Sequence, residues 1–160
     1  RDSIAVVIFL KRKGKKILSF ADHLAPAIAI GYAIGRIGCQ LAGDGDYGKV
    51  AELPWAMSYA QGAVPTPAGV LVHPTPVYET LAALLIAVFL VHLQEKKSLK
   101  TGAIFGIYLI LTALERFLVE FLRIEPQVAL GLTQAQIFAI VICGVGVFLS
   151  FSKQKMERGE

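Results

Sequence analysis

Two arginines in this chain stand where arginine is expensive. Arg36 lies inside the apolar run Phe20–Leu41 and Arg116 inside Gly102–Leu122, neither at the basic end of its segment. An arginine near the middle of a bilayer costs about 2.5–3.5 kcal/mol on insertion scales, so it is paired or faces a polar cavity. One reading is structural, since Arg116 and Glu120 have the i,i+4 spacing of a salt bridge within one helix. The other is a shared anion site. Two guanidinium groups present forked donors that fit a phosphate, and lysine cannot reproduce that fork.

Three clusters surround these positions. The first is Gly35-Arg36-Ile37-Gly38-Cys39, running on into Gly43-Asp44-Gly45-Asp46-Tyr47-Gly48. The spacing of Gly31, Gly35 and Gly38 suits close helix approach, while Gly38 and the Gly43–Gly48 turn also suit backbone drawn near a ligand. The Asp-x-Asp pair, with no further ligands in sequence, is a poor case for a metal. The second cluster, His73-Pro74-Thr75-Pro76-Val77-Tyr78-Glu79, sits at the entry to a helix, where Pro and Glu are ordinary start signals. His73, Tyr78 and Glu79 at headgroup depth also form an acid–base or headgroup-binding set. The third runs from Glu115 to Arg123 and puts Arg116, Glu120 and Arg123 on one helical face at i, i+4 and i+7.

The elements that must hold these clusters are membrane spans. Of the 160 residues 55% are hydrophobic and 18% charged, against about a quarter charged in an ordinary soluble domain, and the charges gather in short segments between long apolar ones. Lipid cannot satisfy exposed backbone, so each span needs about 20 apolar residues. Phe20–Leu41, Pro76–Leu93, Gly102–Leu122 and Gln136–Phe151 qualify, the last with Thr133 as a helix cap. A shorter run, Ile4–Leu10, reads as the tail of a preceding helix. The fold class expected is all-α, a polytopic membrane helix bundle of about four complete spans plus the end of an earlier one. Residues 1–160 then make a single integral-membrane domain, the carboxy-terminal part of a larger protein.

Charge placement orients the bundle. Eleven of the sixteen lysines and arginines fall in Lys11–Lys16, Gln94–Lys100 and Lys153–Arg158. Successive spans put the basic segments 11–16, 94–100 and 153–160 on one face, and excess Lys and Arg mark the cytoplasmic side. The Gly- and Pro-rich loop 43–73 then faces outward, with Trp55 and Tyr59 at the interface and a short strand pair at Trp55–Tyr59 and Gly69–Val72. The net charge of +4 does not indicate a nucleic-acid partner, because the basic residues are not interleaved with aromatics on one surface. Cys39 and Cys143 are too few and too far apart for a metal motif or a disulfide framework. A transporter or channel subunit would carry paired broken helices and repeats, which this sequence lacks.

The clusters, in this order, resemble the bacterial prolipoprotein diacylglyceryl transferases. Gly35-Arg36-Ile37-Gly38 with its acidic Gly turn is similar to that family's signature, and His73-Pro-x-x-x-Tyr78-Glu79 and Arg116-Phe-x-Val-Glu120-Phe-x-Arg123 resemble its later motifs. Gly131-Leu132-Thr133-x-x-Gln136 resembles the start of its last helix, and the likeness runs from about Ala5 to Phe151. It implies an enzyme of the bacterial cytoplasmic (inner) membrane that moves the diacylglyceryl group of phosphatidylglycerol onto the lipobox cysteine thiol of a preprolipoprotein, bound by its signal peptide. Glycerol phosphate leaves, and no metal or organic cofactor is expected. The nucleophile belongs to the substrate peptide, so neither cysteine of the chain is required for catalysis. Arg36, Arg116 and His73 carry the catalytic roles on this reading. Arg36, Gly38, Cys39, Asp44, Gly48, Tyr78, Glu79, Glu120 and Arg123 surround the lipid headgroup.

The chain departs from the family pattern at Cys39 and Ala42, where asparagines are expected, and its turn is one residue longer, so Asp44 or Asp46 stands for the family's glutamate. A non-catalytic lipid- or peptide-binding protein of the same family is the alternative these departures raise. The family's amino-terminal helices, with a His-Gly-Gly segment, would precede Arg1, so the fragment alone is expected to be inactive.

Overall fold

The computed structural model describes residues 17–96, 99–129 and 131–151. Four helices dominate: α1 (Ile17–Ala42), α2 (Thr75–Glu95), α3 (Ala103–Val119) and α4 (Gln134–Phe151). This is the all-α bundle expected from the apolar runs. By length and composition α1, α2 and α4 can each cross a membrane. The run Ile4–Leu10 and the basic segments 11–16 and 153–160 lie outside the described residues.

The pairs α1–α2 and α3–α4 pack most extensively, and α2 and α3 join them. On α1 the buried residues Asp22, Ala25, Pro26, Ala29 and Ala33 recur every three or four positions, which makes one narrow stripe of mostly small side chains. Against it lie Ile86, Ala87 and Leu90 of α2 and Ile104 of α3, forming the core. The opposite faces are apolar and exposed, as at Ile34, Leu41, Leu85, Val88 and Phe148. A soluble protein would not leave such surface to water, whereas lipid accepts it.

Small residues also set the α3–α4 crossing, but not those the sequence suggested. A Cβ on Gly106 would stand 2.7 Å from the Gly146 carbonyl, and one on Gly146 would stand 2.7 Å from the Gly106 carbonyl. The two glycines let the backbones touch. Gly31, Gly35 and Gly38 have open space around them among the described residues, so none of the described helices comes into contact there.

Helix ends fix the loops. The α4 start is a reciprocal cap: the Gln136 amide donates to Thr133 Oγ1 at 3.3 Å and the Thr133 amide donates to Gln136 Oε1 at 3.0 Å. Asp22 of α1 caps α3 from another helix, accepting the Gly102 amide at 2.5 Å and the Phe105 amide at 2.8 Å. The regular part of α3 ends at Val119, short of the expected Leu122, where the chain tightens into a 3-10 turn over Glu120–Leu122 and then extends at Arg123. A two-stranded hairpin, β1 (Gln127–Ala129) and β2 (Leu132–Thr133), leads to α4.

Loop 43–73 folds over the ends of α2 and α3. The Gly48 amide donates to the His73 carbonyl at 2.8 Å, the His73 amide to the Lys49 carbonyl at 3.0 Å, and the Lys49 amide to the Leu122 carbonyl at 2.7 Å. The expected strand pair is a single bridge, Met57 to Val72, closed by reciprocal bonds of 3.0 and 2.9 Å without an extended ladder. Glycine at 48 is obligatory here, since a Cβ would stand 2.5 Å from the Leu122 carbonyl oxygen.

Candidate active site

Four segments bring charge to one place. Arg36 comes from the last turns of α1, Glu79 from the second turn of α2, Arg116 from the last turn of α3, and Asp46 from the Gly-rich loop. Glu79 is the hub and is wholly buried. Its Oε2 lies 3.2 Å from Arg36 Nε, and its Oε1 lies 3.1 Å from Arg116 Nη1 and accepts the Tyr32 hydroxyl at 3.1 Å. Tyr32, one turn before Arg36, also sets its ring under that guanidinium, 5.0 Å from centroid to Cζ. The i,i+4 spacing of Tyr32 before the intramembrane Arg36 is the signal in the sequence that marks Tyr32.

Arg116 is salt-bridged both within its own segment and across to α2. Its Nη2 lies 3.2 Å from Glu120 Oε2, the salt bridge that the i,i+4 spacing suggested, yet it also crosses to Glu79 on another helix. Arg123 is not part of a helical i, i+4, i+7 stripe. The helix has ended before it, and its extended backbone turns the side chain toward the loop, where Nη2 meets Asp46 Oδ1 at 2.5 Å. Arg36 pairs with the other Asp46 oxygen. Asp46 is therefore the loop acid of this network. Asp44, named from the sequence, is exposed and accepts the Asp46 amide at 3.3 Å.

Burial pushes the Asp46 carboxyl up, but the hydrogen bond and charge of Arg123, with the charge of Arg36, outweigh it and hold the group below the usual carboxylate range. Burial likewise works against the charged form of Arg123, and Asp46 more than restores it. Arg123 Nε and Nη1 are buried without a hydrogen-bond partner among the described residues. Cys39 Sγ and the carboxylates of Asp44 and Asp46 lie within 4.8 Å of one another. Asp46 is already held by two guanidinium groups, so a cation there would face two positive charges at close range. Cys39 Sγ sits 3.9 Å from Arg36 Nη1, and Gly38 keeps open space beside it.

His73 and Tyr78 form a separate cluster at the loop end. The Tyr78 hydroxyl is 3.4 Å from His73 Nδ1 and accepts the Trp55 indole N–H at 2.8 Å. Among the described residues no hydrogen bond joins His73 to the arginines.

Two cavities flank Arg116. One, of about 320 Å³, runs between α3 and α4 and is lined by Tyr32, Thr112, Glu115, Phe138 and Ile142. The other, of about 330 Å³, opens under the hairpin between Glu120, Glu125, Thr133 and Phe138. Arg116, Ala135 and Phe138 line both. A guanidinium thus stands between a largely apolar cleft and a more polar mouth, an arrangement that suits an amphiphile with an anionic group at its waist. Glu115 Oε1 is buried without a hydrogen-bond partner among the described residues; nothing in the sequence gave this residue a role.

Comparison with known proteins points to one family. The model of the prolipoprotein diacylglyceryl transferase family matches residues 3–152. Proteins named phosphatidylglycerol–prolipoprotein diacylglyceryl transferase are similar to the chain. That of Clostridium tetani is 32% identical over 92% of the chain and 58% of its own length. That of Finegoldia magna is 36% identical over 98% of the chain and 60% of its own length, and that of Leptospira interrogans 36% identical over 77% and 39%. The chain spans no more than about three-fifths of the length of these relatives. With the family model covering nearly the whole sequence and the arginine-bearing motifs gathered at one site, the chain belongs to the prolipoprotein diacylglyceryl transferase family.

Proposed function

We propose that this chain supplies the arginine-bearing half of a site that transfers the diacylglyceryl group of phosphatidylglycerol to the lipobox cysteine thiol of a preprolipoprotein. A sulfur–carbon bond forms at the glyceryl carbon, the carbon–oxygen bond to phosphate breaks with its electron pair going to glycerol phosphate, and in the net reaction the thiol proton ends on that departing phosphate. The observation that carries this reading is the convergence of Arg36, Arg116 and Arg123 from three segments beside two cavities that share Arg116. Guanidinium groups fixed where phosphate charge grows stabilise the transition state more than the substrate.

Each guanidinium already has a carboxylate, and an incoming phosphate competes with one of them while Arg123 keeps Nε and Nη1 free to donate among the described residues. Glu79 and Glu120 belong to α2 and to the 3-10 turn after α3, and are 0% and 3% exposed. Asp46 sits on a loop between glycines, with 28% of its side chain exposed. Asp46 is the partner that yields, and the phosphate takes its place on Arg36 and Arg123. The domain is a single membrane bundle, residues 1–160, in the bacterial inner membrane. Loop 43–73 faces outward, toward the compartment where the substrate thiol is modified, and the basic segments face the cytoplasm. In the complete protein, Arg36→Ala and Arg116→Ala each abolish transfer from phosphatidylglycerol to a lipobox peptide while membrane insertion persists. Normal transfer by both variants would overturn the proposal.

A further inference from the structure

The Trp55–Tyr78–His73 contact fixes more than geometry. Trp55 is the third residue of a β-turn, Leu53–Ala56, with Pro54 second and the Ala56 amide closing on the Leu53 carbonyl at 3.0 Å. The turn feeds directly into the Met57–Val72 bridge, which brings the indole beside the His73 end of the loop. There the Trp55 N–H reaches the Tyr78 hydroxyl at 2.8 Å. An indole nitrogen can only donate, so Tyr78 oxygen is the acceptor whatever hydrogens are placed on it.

With one lone pair of Tyr78 occupied, its single proton is left to be donated. His73 Nδ1, 3.4 Å away at the long end of hydrogen bonding, is the acceptor within reach. The ring makes no other hydrogen bond among the described residues, and its backbone is held on both sides by Gly48, Lys49 and Thr75. We infer that Trp55 is a positioning residue which, acting through Tyr78, holds neutral His73 with its proton on Nε2. In this tautomer Nε2 is a donor and cannot accept a proton. His73 is then equipped to hydrogen-bond an anionic oxygen, such as that of the departing phosphate, and not to deprotonate the thiol through Nε2. Its use in catalysis rests on the transferase reading; the tautomer does not.

The test uses the complete protein labelled with ¹⁵N-histidine, with His73→Asn assigning the signals, recorded at alkaline pH. Wild type shows a pyridine-type Nδ1 and a pyrrole-type Nε2. Trp55→Phe keeps the ring but removes the donor, and it populates the other tautomer. In lipid-transfer assays Trp55→Phe and Tyr78→Phe each lower kcat by roughly 3–10-fold, the loss of one net hydrogen bond, with KM unchanged. The double variant is no worse than Tyr78→Phe, because Trp55 acts through that hydroxyl. A pyrrole-type Nδ1 in wild type, an unchanged tautomer in Trp55→Phe, or multiplying effects in the double variant overturns the inference. Absence of transfer by the wild-type protein would instead overturn the proposed function, and the nitrogen shifts would still decide the tautomer.

Discussion

At one end of the bundle Asp22, 7% exposed, accepts two backbone amides of another helix. At the other end Glu79, wholly buried, faces two arginine side chains and a tyrosine. Both are carboxyl groups inside apolar helices, and both meet donor or cationic groups, although Glu79 Oε2 has only its ion contact with Arg36 among the described residues. They differ in what satisfies them. Amides at a helix start are fixed by the fold, so Asp22 has nothing to exchange and serves α3 as a cap. Guanidinium groups on side chains can trade one anion for another without unmaking a helix. A buried charge answered by backbone is therefore structural, and one answered by side chains from several elements is a place where a ligand can compete.

The strongest way to break that comparison is to remove a guanidinium. Loss of one preorganised donor to a growing oxyanion lowers rates about 10²–10³-fold. Arg36→Ala and Arg116→Ala each leave Glu79 short of a counter-charge and lower kcat in the complete protein by at least that factor. Lysine at either position restores the charge but not the fork, and recovers only part of the rate. Should lysine restore full turnover, the charge alone would suffice and paired donation would have no role. Gly48→Ala comes next. Its Cβ would meet the Leu122 carbonyl at 2.5 Å, so the loop lifts from the end of α3. Transfer falls sharply, and amide exchange at Lys49 rises while that of α1 and α2 does not.

The spans were legible in the sequence because lipid demands uninterrupted apolar runs, and the four helices lie within a few residues of the runs that predicted them. Thr133 was legible as a cap for a similar local reason. What failed to show were relations between segments. Nothing in Glu115–Arg123 announces that the helix ends at Val119, since the helical spacing of its charges continues past it. Asp44 and Asp46 are equivalent in sequence, and only the path of the loop gives Asp46 to Arg36 and Arg123. Glycine spacing pointed to Gly31, Gly35 and Gly38, whereas the close crossing lies at Gly106 and Gly146, because spacing marks a smooth face without naming its partner. Asp22 looked like an interruption of an apolar run, and its purpose lies some eighty residues away.

Substitution of Asp22 tests the other side of the comparison. Asp22→Ala strips α3 of its cap and costs about 0.5–2 kcal/mol, read as a lower midpoint of thermal unfolding in detergent. The protein that remains folded keeps its kcat, because no substrate group touches Asp22. A selective loss of kcat without loss of stability would place this carboxylate in the mechanism and erase the distinction between the two ends.

The smallest effect concerns Asp46, which belongs to both categories. It ties the loop to Arg123, and on the proposed function it is the carboxylate that a phosphate displaces. Its folded pKa is depressed below the unfolded value of about 3.9. The ion pair therefore contributes stability at all pH above that value and loses it as pH falls through the lowered folded value. Amide protection at Gly48 and Lys49 in the complete protein, taken relative to the intrinsic exchange rate at each pH, should stay flat from neutral to mildly acidic pH and fall only below the ordinary carboxylate range. Asp46→Asn should remove that acid dependence, because no carboxyl is left to protonate. Phosphatidylglycerol in nanodiscs should speed exchange at the same amides near neutral pH, because the lipid phosphate releases Asp46 from its arginines without protonating it. Exchange that responds to acid but not to the lipid would leave Asp46 a tether alone, and the phosphate would have to displace Glu79 or Glu120 instead.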